Sequence, residues 1–152
     1  MARSKMLLAQ PGQIGTMKIR NRVVMPAMGT NMANLDGTPS QNLIDYYEAR
    51  AAGGAGMIIT EVVTPYERGQ CIHSELAGYS DKFMPSLSRL ARAVKRHGTR
   101  CILQIAHAGS FASERITGMK PLAPSAIELR LSGETPAEAT ISEIKELVQK
   151  YI

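Results

Sequence analysis

Two short stretches have residue types that suit a flat, partly apolar ligand. The first is Pro26-Ala27-Met28-Gly29-Thr30-Asn31-Met32. Its small residues, Ala27 and Gly29, alternate with the soft side chains of Met28 and Met32. A flat ligand can lie against such a surface with the backbone close to it. The second is Gln104-Ile105-Ala106-His107-Ala108-Gly109. Gln104 is an amide inside an apolar strand, so its donors and its acceptor need partners. A ligand with an alternating donor–acceptor edge supplies them, and so does an internal bond to a neighbouring strand. His107 stands just beyond the strand and suits an acid, a ligand contact or a structural hydrogen bonder. His73 and His97 are peripheral. No spacing of His, Cys and carboxylates resembles a metal site, and no Ser has a nucleophile setting.

The elements around these stretches follow from pattern. Residues 13–19 read as a hairpin with Gly15-Thr16 at its tip. Val23, Val24 and Met25 form a short apolar run that suits a buried parallel strand, and Pro26 ends its ladder. Thr38-Pro39-Ser40-Gln41 predicts a helix start capped by Thr38, with Leu43, Ile44, Tyr47 and Ala51 on the apolar face and Gly53-Gly54 as its stop. Residues 57–60 predict a second strand, buried on both faces, followed by a loop over residues 61–80. Asp81 is placed to cap a second helix running to about His97, with a stripe of Leu87, Leu90, Ala91 and Val94 and a stop at Gly98. Residues 101–105 form the third strand. A loop over residues 106–139 is longer than the usual connection. Thr140-Ile141-Ser142-Glu143 then opens a helix with Ile144, Leu147, Val148 and Ile152 on one face.

Strand and helix thus alternate three times after a hairpin, which means a parallel sheet with right-handed crossovers. A doubly wound sheet and an eight-fold barrel both satisfy this. Gly53-Gly54-Ala55-Gly56 argues against a dinucleotide fold, because it follows a helix and precedes a strand. A phosphate-binding glycine loop needs the opposite order. In a barrel, chemistry sits at the C-terminal strand ends. That rule selects residues 26–31, 61–64 and 104–109.

Length and composition set the bounds. A chain of 152 residues fits one ordinary domain. No apolar run reaches a membrane span, and the charged start (Met1, Ala2, Arg3, Ser4, Lys5) leads into too short an apolar run for a secretion signal. Cys71 and Cys101 in such a chain indicate reduced thiols and a cytoplasmic protein. The net charge of +5 is modest, and Arg89, Arg92, Lys95, Arg96 and Arg100 fall mostly on one predicted helix. A solvated helix face accounts for them. With no aromatic interleaving, the expectation is no nucleic-acid partner and no membrane. An anionic ligand is compatible with the charge.

The chain resembles the N-terminal part of the Old Yellow Enzyme family, the NADH:flavin oxidoreductases. The resemblance rests on residues 18–28 (KIRNRVVMPAM), residues 47–61 (YEARAAGGAGMIITE), Gln104-Ile105-Ala106-His107-Ala108-Gly109 and Pro121-Leu122-Ala123-Pro124-Ser125, in matching order and spacing. It covers nearly the whole chain. It is similar in particular to the bacterial branch with 2-enoate, 2,4-dienoyl-CoA and bile-acid enone reductases. The resemblance implies a (β/α)8 TIM barrel holding FMN at its C-terminal strand ends. Implied FMN contacts are Pro26, Ala27, Met28 and Gly29 after the first strand, Val62 after the second and Gln104 on the third. Asn31 falls near a substrate-contact position. No metal ligand is implied.

The implied activity passes hydride from NAD(P)H through FMN to an activated C=C bond, such as an enone or enoyl thioester. The partner is therefore a small-molecule alkene, and a homo-oligomer is allowed. Two positions depart from the family's pattern. Gly29 stands where many relatives place Thr or Cys to tune the flavin, and Ser110 replaces the usual Arg after His-Ala-Gly. Length departs as well, since a complete barrel takes about 250 residues. The family's substrate-anchoring His/Asn pair, its Tyr proton donor and its later phosphate-binding elements are expected beyond Ile152, so catalytic residues are not assigned here. An iron–sulfur cluster and FAD belong only to a longer parent. The leading expectation is therefore an incomplete barrel domain over residues 1–152, inactive alone. The alternatives are a non-catalytic flavin-binding or assembly module, and a flavin-free barrel enzyme that binds a phosphorylated ligand.

Overall fold

The computed structural model describes residues 6–152. The charged start read from residues 1–5 lies outside them. Strands β1 (Gly12–Ile14) and β2 (Met17–Ile19) pair antiparallel around Gly15, whose φ of 55° suits the tight turn. β3 (Val24–Met25) follows, then helix α1 (Gln41–Ala52), β4 (Met57–Thr64), β5 (Leu76–Ala77), α2 (Met84–Lys95) and β6 (Arg100–Ile105). A short helix α3 (Glu114–Thr117), strands β7 (Leu122–Ala123) and β8 (Ala137–Glu138) and helix α4 (Ile141–Lys150) complete the order.

The sheet is parallel and centred on β4. Val24 registers with Met57 on one side of it, and Met57 with Arg100 on the other. β5 joins β4 further along, with Val63 opposite Leu76, taking the edge that β3 leaves after Met25. Helices α1 and α2 cover one face of this sheet. Leu43, Ile44, Tyr47 and Ala51 meet Leu87, Leu90, Ala93 and Val94 over Ile58 and Val63 in one buried cluster. This is an α/β fold with the helices outside, as the alternation of patterns predicts.

The lower, N-terminal ends of the strands are tied by Arg20. Its guanidinium donates to the carbonyls of Ala51 (2.8 Å), Ala55 (2.9 Å) and His97 (2.6 Å), and to the Thr99 hydroxyl (3.0 Å). One side chain therefore satisfies carbonyls left over at the ends of both helices, where the dipole also favours a cation.

Several local expectations are corrected. The first strand is only two residues long, and Val24 is 39% exposed rather than buried, because β3 pairs on one side only. β4 does not stop at Thr60 but runs to Thr64, since a bulge between Ile59 and Val62 absorbs the polar pair and the ladder resumes. Ser40, not Thr38, caps α1. The Ser40 hydroxyl accepts the Leu43 N–H at 3.1 Å, while Thr38 is occupied by Asp36. Asp81 begins a 3-10 turn (Asp81–Phe83) ahead of α2 and makes no side-chain cap. Ala93, rather than Ala91, completes the buried stripe of α2, which ends at Lys95. The long segment after β6 carries α3 and the β7–β8 pair. The Thr140–Glu143 capping box forms, but none of the residues on α4 is buried.

Candidate functional site

The site begins with register. Val62 and Gln104 are partners in the β4–β6 ladder, directly across from one another near the C-terminal ends of their strands. The segment after β3 runs past the same end of β4, because Glu61 reaches it. Glu61 Oε2 accepts the Thr30 N–H at 2.8 Å and the Thr30 hydroxyl at 2.5 Å. Residues 26–31, Val62 and Gln104 therefore share one end of one sheet.

The surface they present is open. Pro26, Met28, Gly29 and Gln104 are exposed, and Ala27 and Val62 are partly covered. Among the described residues, the Gln104 side chain makes no internal bond to a neighbouring strand, one of the two ways its amide could be satisfied. It lies at an exposed strand end, and among the described residues nothing hydrogen-bonds its amide. Asn31 is exposed in a left-handed conformation (φ 55°) that Asn tolerates well, and its Oδ1 accepts the Ser74 N–H at 3.0 Å. That bond ties the loop after β3 to the one after β4.

His107 lies two residues past the end of β6. Its Nδ1 accepts the Gly109 N–H at 3.0 Å, so the neutral ring carries its proton on Nε2. That Nε2 is buried and has no described partner. The ring stacks on Tyr66, with centroids 6.0 Å apart, and presses on Gly69, where any side chain would collide with it. Burial, with help from the Arg68 charge, pushes the His107 pKa below its ordinary value. A small cavity of about 170 Å³ beside it is walled by Leu122, Ala123, Pro124, Ala139, Ile144 and Leu147.

Sequence reasoning misses Tyr66, Arg68 and Glu75, names Tyr47 only as part of a helix's apolar face, and includes Thr30 in the 26–31 cluster without a role of its own. Tyr47 and Tyr66 read there as an ordinary core residue and a loop residue. The detectable signal was Glu61, a lone carboxylate between the apolar pairs Ile58-Ile59 and Val62-Val63. Glu61 opens the selected 61–64 cluster, but ending the strand at Thr60 hides its place inside the bulged strand.

A sequence profile of the NADH:flavin oxidoreductase / NADH oxidase family matches residues 7–152. The chain belongs to this family. It is 46% identical over 147 residues to an NADH oxidase of Thermoanaerobacter brockii, covering 95% of this chain and 23% of that protein. It is 38% identical over 136 residues to an NADH:acrylate oxidoreductase of Vibrio harveyi, covering 88% of this chain and 13% of that one. Among solved structures, an Old Yellow Enzyme homologue from Zymomonas mobilis superposes with a TM-score of 0.85 at 25% identity, covering 95% of this chain and 42% of that one. The chain therefore spans less than half the length of each of these three proteins. Their matched portion is this flavoprotein family's N-terminal part. Among the described residues, no helix is long and apolar enough to cross a membrane.

The residues fit FMN, the family's cofactor. A flat ring needs an apolar floor with close backbone and a polar group for its pyrimidine edge. The 26–29 segment has the small and apolar residues such a floor needs, and the Gln104 amide, which no described residue hydrogen-bonds, has both a donor and an acceptor for such an edge.

Proposed function

We propose that residues 1–152 are the N-terminal part of an FMN-binding (β/α)8 barrel whose complete protein is a cytoplasmic NAD(P)H-dependent reductase of activated alkenes. The observation that carries this reading is the free Gln104 amide placed beside Val62 and facing the same strand end as the 26–31 loop. Bound there, FMN supplies hydride transfer between a nicotinamide and an activated C=C bond. The chain's own residues hold and orient it. Pro26, Ala27, Met28 and Gly29 offer backbone and apolar contact on one side. Val62 adds a wall from β4. Gln104 fixes the polar edge by hydrogen bonds. Asn31, at the rim, lies toward the substrate. His107 stays neutral and holds its own loop through Gly109.

The relatives support an electron acceptor with a polarised double bond, since one of them is named for acrylate. The test is direct. The complete protein, purified without added flavin, is expected to be yellow, to release FMN on denaturation and to oxidise NADH or NADPH when given acrylate or an enone. A colourless protein that binds a phosphorylated ligand would favour a flavin-free barrel enzyme. A yellow protein with no alkene turnover would favour a flavin-binding or assembly module.

A further inference from the structure

Position 29 has no side chain of its own, yet the space beside it is taken. A Cβ on Gly29 would meet the Ile72 Cδ1 at 2.8 Å. Among the described residues, and apart from the chain neighbours of Gly29, no other heavy atom lies within 4 Å of that point. A methyl group from the loop after β4 thus stands where a side chain at position 29 would begin.

Ile72 comes from a loop whose frame is fixed. Its N–H donates to Glu75 Oε2 at 3.1 Å, and its carbonyl accepts from Gln70 Nε2 at 3.0 Å. The Cys71 N–H donates to the same Glu75 oxygen at 3.0 Å, and Glu75 is itself buried. Two further bonds tie this loop to the one that carries Gly29. Ser74 N–H donates to Asn31 Oδ1 at 3.0 Å, and Ala33 N–H donates to the Ser74 carbonyl at 3.3 Å. Both backbone groups of Ile72 are therefore engaged, and branching at Cβ restricts χ1, which leaves χ2 to place the Cδ1. Ile72 is nevertheless no part of the main core. It is only half-buried, and it stands outside the cluster that α1 and α2 build over the sheet. An apolar side chain held this firmly away from the core is a piece of shaped surface.

That surface lies at a border. Gly29 ends the proposed FMN floor, and Asn31 stands at the proposed substrate rim. We propose that Ile72 is a specificity-determining residue: its Cδ1 takes the place of a side chain at position 29 and limits the breadth of the alkene admitted beside the flavin. The proposal rests on the flavin reading for its ligand, whereas the contact between positions 29 and 72 stands without it. A methyl group offers no hydrogen bond, so this border selects by shape. An acceptor that is slim around its double bond, such as acrylate, passes it, and a ring enone brings bulk against it.

The test uses the complete flavoprotein and its Ile72→Val, Ile72→Ala and Gly29→Ala variants. Ile72→Val removes only the Cδ1. It should raise kcat/KM for cyclohexenone relative to acrylate by about tenfold, the lower end of what one methylene decides in a pocket, and Ile72→Ala should raise the ratio further. Should Ile72→Ala fail to fold, Ile72→Val carries the test. A second measurement needs no flavin chemistry. The change in melting temperature caused by Gly29→Ala should be more favourable in the Ile72→Val background than in the wild type, because the new Cβ then meets no methyl. Equal changes in the two backgrounds overturn the contact and the proposal with it. An unchanged acceptor ratio in an active enzyme overturns the specificity role alone. A wild type that is colourless, or that reduces neither acceptor, overturns the proposed function and the specificity role together.

Discussion

The phenolic oxygen of Tyr47 accepts the backbone N–H of Glu61 at 2.6 Å. The bond joins the middle of α1 to the bulge in β4, and both residues are almost completely shielded from solvent. At a bulge the ladder cannot satisfy every N–H, so a side chain from the covering helix takes over. Tyr47→Phe keeps the ring and strands that N–H. In the complete protein we expect a loss of about 1–3 kcal/mol, the usual cost of an unsatisfied buried group. Hydrogen exchange of the segment containing Glu61 should quicken accordingly. Unchanged exchange would mean that the bulge does not depend on α1.

Gln104 has an unengaged amide at an exposed strand end, so replacing it costs the apoprotein little. In the flavin-bound protein the same change should be costly. Gln104→Leu is expected to weaken FMN binding by about 1–3 kcal/mol while leaving the melting temperature of the apoprotein in place. Fluorescence-quenching titration measures the first and thermal unfolding the second. Equal FMN affinity in variant and wild type would remove Gln104 from the cofactor site.

Gly29 has less room than its exposure suggests. A Cβ there meets the Ile72 Cδ1 at 2.8 Å, so the flexible end of Ile72 must move aside. Gly29→Ala tests that displacement alone, and Gly29→Thr adds a hydroxyl. We expect Gly29→Thr to shift the flavin reduction potential in a spectroscopic redox titration, with Gly29→Ala shifting it less. Identical potentials in all three proteins would show that position 29 does not face the ring.

The parallel order of strands and helices was legible because each helix carries an unbroken apolar stripe and each strand an apolar run. What escaped was the interplay of neighbours. Ser40 and Thr38 are both good caps by type, and what selects between them is the bond from the Thr38 hydroxyl to Asp36, two residues before it, and the bond from the Ser40 hydroxyl to the Met32 carbonyl. Glu61 looked like the first residue of a loop because carboxylates rarely sit in a buried strand. Its burial depends on Thr30, about thirty residues away in sequence, a pairing that no local pattern records. The clusters at residues 26–31 and 104–109 were legible because they follow apolar strands, whereas the exposure of Gln104 depends on the sheet edge beside it.

His107 gives a pH-dependent signal. Its pKa is lowered, by burial first and then by the Arg68 charge. A depressed His pKa favours the neutral ring in the folded state, so its contribution is present above the unfolded value of 6.5 and is lost as pH falls through the folded value. The His107 ring in the complete protein should therefore titrate below 6.5 in an NMR pH series. Arg68→Met removes only the smaller cause and should raise that pKa part of the way. A His107 titrating at or above the ordinary value would contradict the buried, neutral ring.

The isolated chain should behave differently from the complete protein. β3 pairs with β4 alone and β6 with β4 alone, so both leave an unpaired edge. Apolar side chains are left uncovered along those edges and on α4. Ile105 is 51% exposed, Val148 51% and Ile144 44%. Open edges and uncovered apolar faces recruit other chains. In a closed barrel each edge finds a neighbouring strand. Residues 1–152 alone are therefore expected to self-associate or remain partly molten, to bind FMN weakly or not at all, and to show no alkene reduction. Light scattering gives the mass, and fluorescence quenching gives the flavin affinity. A monodisperse monomer that binds FMN at micromolar or better affinity would show that these elements form a self-sufficient flavin module, and the edges at β3 and β6 would then need no partner strand.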